Sequence, residues 1–111
     1  MKDGIYHVVF SSNVGALGEG IAVFNGEGVN GGDYGYVYTG TINYHESNFV
    51  SRLTIKRWNS STQSIFGNLP EFQLELNGHQ TESAEFIAEG NVIGQPSFRI
   101  TIKGRYLSKL A

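Results

Sequence analysis

The chain has 111 residues, 40% hydrophobic and 16% charged, which suits one domain with one small core. The absence of cysteine excludes disulfides, thiolate metal sites and a cysteine nucleophile. A net charge of -2 and a pI near 5.8 argue against a dedicated nucleic-acid binder, and no apolar run reaches the roughly 18 residues of a membrane span.

The dominant period is two. The first strand, 4–11, carries Tyr6, Val8 and Phe10 on one face and Ile5 and Val9 on the other. In the second, 18–25, Ile21 and Val23 oppose Ala22 and Phe24. A strand apolar on both faces must be covered on both. The cover is either a loop or terminus folded over the outside, or a subunit interface built on Ile5, Val9, Ile21 and Val23. Asn25-Gly26 turns the chain into a short third strand, 27–31, and Asn30-Gly31-Gly32-Asp33 supplies a second turn. The fourth strand, 34–43, places Tyr34, Tyr36 and Tyr38 on one side.

The fifth strand, 48–58, alternates Phe49, Ser51, Leu53 and Ile55 with Val50, Arg52, Thr54 and Lys56. The stretch from Asn59 to Pro70 is the longest interruption, and its Ile65-Phe66-Gly67 is either a short strand or a plug for one end of the fold. Strands 71–78, 84–91 and 97–106 follow, with Gly94-Gln95-Pro96 closing the seventh run. The last of them sets Phe98, Ile100 and Ile102 against Arg99, Thr101 and Lys103. Basic residues concentrate on the fifth and eighth strands and acidic ones between them. This pattern predicts surface pairs such as Lys56 with Glu75 and Arg99 with Glu89.

Eight short strands joined mostly by hairpins predict an all-β fold: an eight-stranded, up-and-down antiparallel β-barrel, which leaves no open edge. Residues 1–111 are read as a single domain. The opening Met1-Lys2-Asp3-Gly4 lacks a signal-peptide core, so the expected location is cytoplasmic.

No motif here predicts catalysis. Gly26-Glu27-Gly28-Val29-Asn30-Gly31 has the GxGxxG spelling, but a strand follows it where a dinucleotide site needs a helix. His7, His45 and His79 show no metal-ligand spacing, and no nucleophile elbow is present. Glu82, Glu85 and Glu89 read as solvated surface. No cofactor is expected. Aromatic residues are the strongest compositional signal, with seven Phe, six Tyr and one Trp. Tyr6, Tyr34, Tyr36, Tyr38, Phe72, Phe98 and Tyr106 are the candidates for a barrel interior, which either fills with side chains or holds one small apolar ligand.

Lys2-Asp3-Gly4-Ile5-Tyr6, Gly18-Glu19-Gly20-Ile21, Asn25-Gly26, Gly31-Gly32-Asp33 and Tyr38-x-Gly40 together resemble the GrlR family of small negative regulators of type III secretion. The resemblance is strongest over residues 2–42 and continues through Lys56-Arg57-Trp58-Asn59 and Phe72-Gln73-Leu74. It implies a lipocalin-like barrel, a homodimer, no catalysis, and action by binding a protein, in that family a transcriptional activator. The family's partner-contacting stretch is an acidic run between the fourth and fifth strands. Here the corresponding loop, Tyr44, His45, Glu46 and Ser47, has one acid, so it does not reproduce an acidic patch.

Overall fold

Side chains alternate across each strand, so a sheet with one apolar face must either stack on a second layer or close on itself. In the computed structural model, which describes residues 1–81 and 84–111, it closes. The strands are β1 (Gly4–Ser12), β2 (Leu17–Asn25), β3 (Gly28–Gly32), β4 (Tyr36–His45), β5 (Asn48–Arg57), β6 (Glu71–Gln80), β7 (Glu85–Val92) and β8 (Gln95–Ser108). Each pairs antiparallel with the next, and β8 returns to pair with β1. Glu82 and Ser83 lie outside the described residues, and with Glu82 the reading of that carboxylate.

The barrel interior holds Tyr6 and Val8 from β1, Ala22 and Phe24 from β2, and their counterparts around the ring through Ile100 and Ile102 of β8. Three aromatic rings lie over glycines directly across a ladder: Phe10 over Gly18, Phe49 over Gly78 and Phe86 over Gly104. A Cβ at any of these glycines would collide with the ring. Large rings therefore fit inside a narrow barrel because the facing positions carry no side chain. Tyr6, Phe24, Phe49 and Phe86 form an aromatic cluster, three of its contacts edge-to-face and Tyr6–Phe86 tilted, with neighbouring centroids 5.1–5.8 Å apart, and it closes the end where β1 begins.

The structure corrects several expectations. Tyr34 precedes β4 and is 78% exposed. Asp33 Oδ1 accepts from the backbone N–H groups of Gly35 and Tyr36 at 2.8 and 2.7 Å, and this tight turn takes Tyr34 out of the alternation. The turn after β7 is Ile93–Gly94, with Gly94 at φ 87°, so Gln95 and Pro96 open β8. The surface pairs also differ: Lys56 stands opposite Glu71, Arg52 donates to Glu75 at 2.7 Å, Arg99 faces Asn91, and Glu89 faces Asn77 and Thr101. Slipping a ladder by an even number of residues leaves every side chain on its face, so alternation alone does not select the register.

Residues 59–70 contain one isolated bridge, Ser64 to Gly67, and fold across the end where β1 finishes. Ser12 Oγ donates to the Ile65 carbonyl (3.0 Å) and Tyr36 OH to the Leu69 carbonyl (2.7 Å), which ties the segment down. Phe66 is buried there against Phe72 and Phe98. The segment is a plug.

Candidate functional site

The outer face of β1 and β2 carries the four residues proposed for an interface. Register puts Ile5 opposite Val23 and His7 opposite Ile21, so the outward side chains adjoin across one ladder. Val9 is 40% and Ile21 38% exposed, while Ile5 and Val23 are half-buried. Val9 and Ile21 thus stand open to solvent on this face. It continues through Gly32, which has no side chain, to exposed Val37 on β4, and at the other flank to exposed Leu107 on β8. Val37 and Leu107 were missed by sequence reasoning, because on their own strands they are lone apolar residues. Register across Gly32 carries Val37 to this face, and closure of the barrel brings Leu107 beside β1.

Charged groups cross the same patch. Val9 lies between Glu19 and Lys103, and His7 has Arg105 on its other side. His7 Nε2 and Glu19 Oε2 are 2.8 Å apart, a pairing that spacing within one strand could not reveal.

The interior is mostly filled and retains a cavity of about 150 Å3. Val8, Ala22, Val29, Leu74 and Ile100 contribute to its walls, with Gly35, Thr62 and Phe66, and half-buried Asp33 lies beside exposed Tyr34, where the lining reaches solvent. Of the expected interior residues, Tyr36, Tyr38 and Phe72 line this space, and Tyr34 reaches it only from the rim. Tyr6 and Tyr106 belong to the aromatic cluster at the closed end, with centroids 5.5 Å apart, and Phe98 stacks on Phe66. Lys2 covers the Tyr106 ring at 3.8 Å, and Tyr6 OH donates to the Lys2 carbonyl at 2.7 Å. Burial, and then the neighbouring Tyr44, Tyr106 and Asp3, raise the Tyr6 phenol to about 12. Burial raises Tyr38 strongly as well, reinforced by its hydrogen bond to the Asp33 carboxylate.

Asp33 is the residue the sequence reading undervalued. Its side chain receives the Gly35 and Tyr36 N–H groups on one oxygen and the Tyr38 hydroxyl on the other. The Trp58 indole N–H donates to its backbone carbonyl at 3.1 Å. The signal was present as an aspartate two residues before a glycine at a strand start, an Asx-turn pattern.

The β4–β5 loop is a two-residue turn, Glu46-Ser47, with Glu46 at φ 60°. Tyr44, His45, Glu46 and Ser47 are all exposed at the end opposite the plug, and Tyr44 leans on Phe49 with centroids 6.4 Å apart. Burial and nearby Asp3 raise the Tyr44 phenol.

Among the described residues no three His, Asp or Glu side chains converge as a metal site, and no helix is long and apolar enough to cross a membrane. No curated protein sequence matches the chain. The family described as the type III secretion system negative regulator GrlR matches residues 1–110, nearly the whole chain. The chain belongs to the GrlR family, the negative regulators of type III secretion.

Proposed function

We propose that this protein is a cytoplasmic, non-enzymatic homodimer that restrains type III secretion by binding another protein, a transcriptional regulator on the family resemblance. The observation that carries the dimer is the apolar outer face of β1 and β2, where Ile5 stands opposite Val23, Val9 and Ile21 are exposed, and Val37 and Leu107 extend it. Contiguous apolar surface on a small soluble domain marks a contact site. A second copy fits this surface, because Glu19, Lys103, His7 and Arg105 bring both signs of charge to it. In a two-fold arrangement each sign meets its opposite on the other copy.

The test is the solution mass of the Ile21→Asp, Val23→Asp double variant. Light scattering should give a dimer for the native chain and a folded 12.2 kDa monomer for the variant. A variant that remains dimeric overturns the assignment of this face. Tyr44, His45, Glu46 and Ser47 form the candidate partner loop, although its single carboxylate and tight turn suit a partner less basic than an acidic run would attract.

The cavity supports a second reading, a carrier or sensor of a small apolar molecule held in the barrel. At about 150 Å3 it falls below the several hundred Å3 of drug-sized pockets. That size confines the ligand to one ring or a short chain.

A further inference from the structure

The polar chemistry of the cavity lining restricts what can enter it. Its hydroxyls below the rim are already donating to the protein. Tyr36 OH bonds the Leu69 carbonyl, Ser51 Oγ the Thr41 carbonyl, Thr62 Oγ1 the Asn59 carbonyl and Ser64 Oγ the Gly67 carbonyl, at 2.7–2.9 Å. The Tyr38 hydroxyl is committed to Asp33. Among the described residues no lysine, arginine or histidine lies on the lining, and its charged residues are Glu19 and Asp33, both acids. The Glu19 carboxylate is taken by His7. The Asp33 carboxylate stands half-buried at the mouth.

A carboxylate or phosphate held below the rim would find neither a cation nor a free hydroxyl, since the Tyr34 hydroxyl and the Gln63 amide stand exposed at the rim, and an uncompensated buried anion is strongly disfavoured. A ring with no charge loses nothing on entry. A basic nitrogen at the mouth end would meet Asp33, whose charge favours it. Volume points the same way as chemistry, since an apolar cavity of ~150 Å3 accommodates a benzene-sized ring. Rings from Phe24, Phe49, Phe66, Phe72 and Phe86 line the space, which suits edge-to-face packing of an aromatic guest.

We propose that the barrel takes a small single-ring compound, neutral or bearing a basic nitrogen directed at Asp33, and excludes carboxylates of the same size. This rests on the carrier reading of the cavity. It makes a fatty acid an unsuitable ligand despite the apolar walls.

The probes are benzyl alcohol, benzylamine and benzoate, titrated into the intact protein at neutral pH and followed by NMR at the methyl groups of Ala22 and Ala88, which line the cavity. The alcohol and the amine should shift both methyls saturably, with benzoate weaker by about tenfold or more. Asp33→Asn keeps an oxygen to receive the Gly35 and Tyr36 N–H groups. This variant should weaken the amine several-fold and leave the alcohol unchanged. Benzoate binding as tightly as benzylamine would overturn the ligand class while leaving the cavity as a binding site. Failure of all three probes to move the two methyls would overturn the carrier reading itself. Equal weakening of amine and alcohol in Asp33→Asn would overturn the charge preference.

Discussion

Phe66 stacks on Phe98 with centroids 5.3 Å apart and ring planes 20° from parallel. One ring belongs to the interruption between β5 and β6, the other to β8, and together they wall the plugged end of the barrel. Truncating Phe66 to alanine would remove the stack and its edge contact with Phe72 and enlarge the cavity toward solvent. The expected cost is about 3 kcal/mol, toward the lower end of the range for Phe→Ala because the segment can partly collapse. Urea unfolding measures the loss. Limited proteolysis should show cleavage between residues 59 and 70 appearing in the variant alone; an unchanged midpoint and cleavage pattern would show that Phe66 does not hold the plug.

Gly104 tests the packing at the opposite end. A methyl group there collides with Phe86, which is itself held by Tyr6, Phe24 and Phe49 and has little room to yield. Gly104→Ala should destabilise by about 1–3 kcal/mol, the usual cost of overpacking. Adding Phe86→Leu should return part of that loss, because the two changes act on one contact. Strictly additive effects in denaturant unfolding would refute the direct clash.

These two cases show where sequence reasoning succeeded and where it lacked information. All eight strands were legible, because Tyr6-Val8-Phe10 or Phe98-Ile100-Ile102 can be buried on one face only by an extended chain. In-strand glycines such as Gly104 mark in the sequence the sharp bends that closure demands. The ring each one accommodates was not legible, since that partner is set by register, and an even slip preserves every face. Hence Arg52, not Lys56, bonds Glu75. Tyr34 left the expected row because Asp33 captures two backbone N–H groups at the strand start, a local competition that alternation does not encode. Of the candidate site, Ile5, Val9, Ile21 and Val23 could be read as an apolar outer face from one strand each. Val37 joins that face only through the register across Gly32 and Leu107 only through closure, and Phe66 could be placed as a plug only once its end of the barrel existed.

The Arg52–Glu75 pair and Ile42 make a contrast in energetic weight. The ion pair is 2.7 Å long but lies on the exposed face, where solvent screens it and two long side chains must be held in place. Arg52→Gln should cost less than about 1 kcal/mol, and less still in high salt. Ile42 is fully buried, and Ile42→Ala should cost about 2–5 kcal/mol at any ionic strength. Urea midpoints of both variants at low and high salt would check the ordering; a reversed order would show that the pair contributes more than a screened surface contact.

Alkali should attack the barrel through its buried phenols. Tyr6 is raised to about 12, chiefly by burial, and Tyr38 is raised by burial and by its bond to the Asp33 carboxylate. A raised phenol means the folded protein holds the proton more tightly than the unfolded chain. The stabilisation this provides is complete below the unfolded value of about 10 and drains away as pH climbs through the folded values. Folding stability should therefore decline from about pH 10 upward. Tyr38→Phe and Tyr6→Phe should each flatten that decline, even though they also lose the bonds to Asp33 and to the Lys2 carbonyl. Tyrosinate absorbance follows the same event directly. In the folded protein part of the amplitude should emerge late and disappear from the late phase in each variant, whereas in urea all six tyrosines should titrate together. A native titration that matched the urea curve would show that these two hydroxyls are not sheltered as the structure describes.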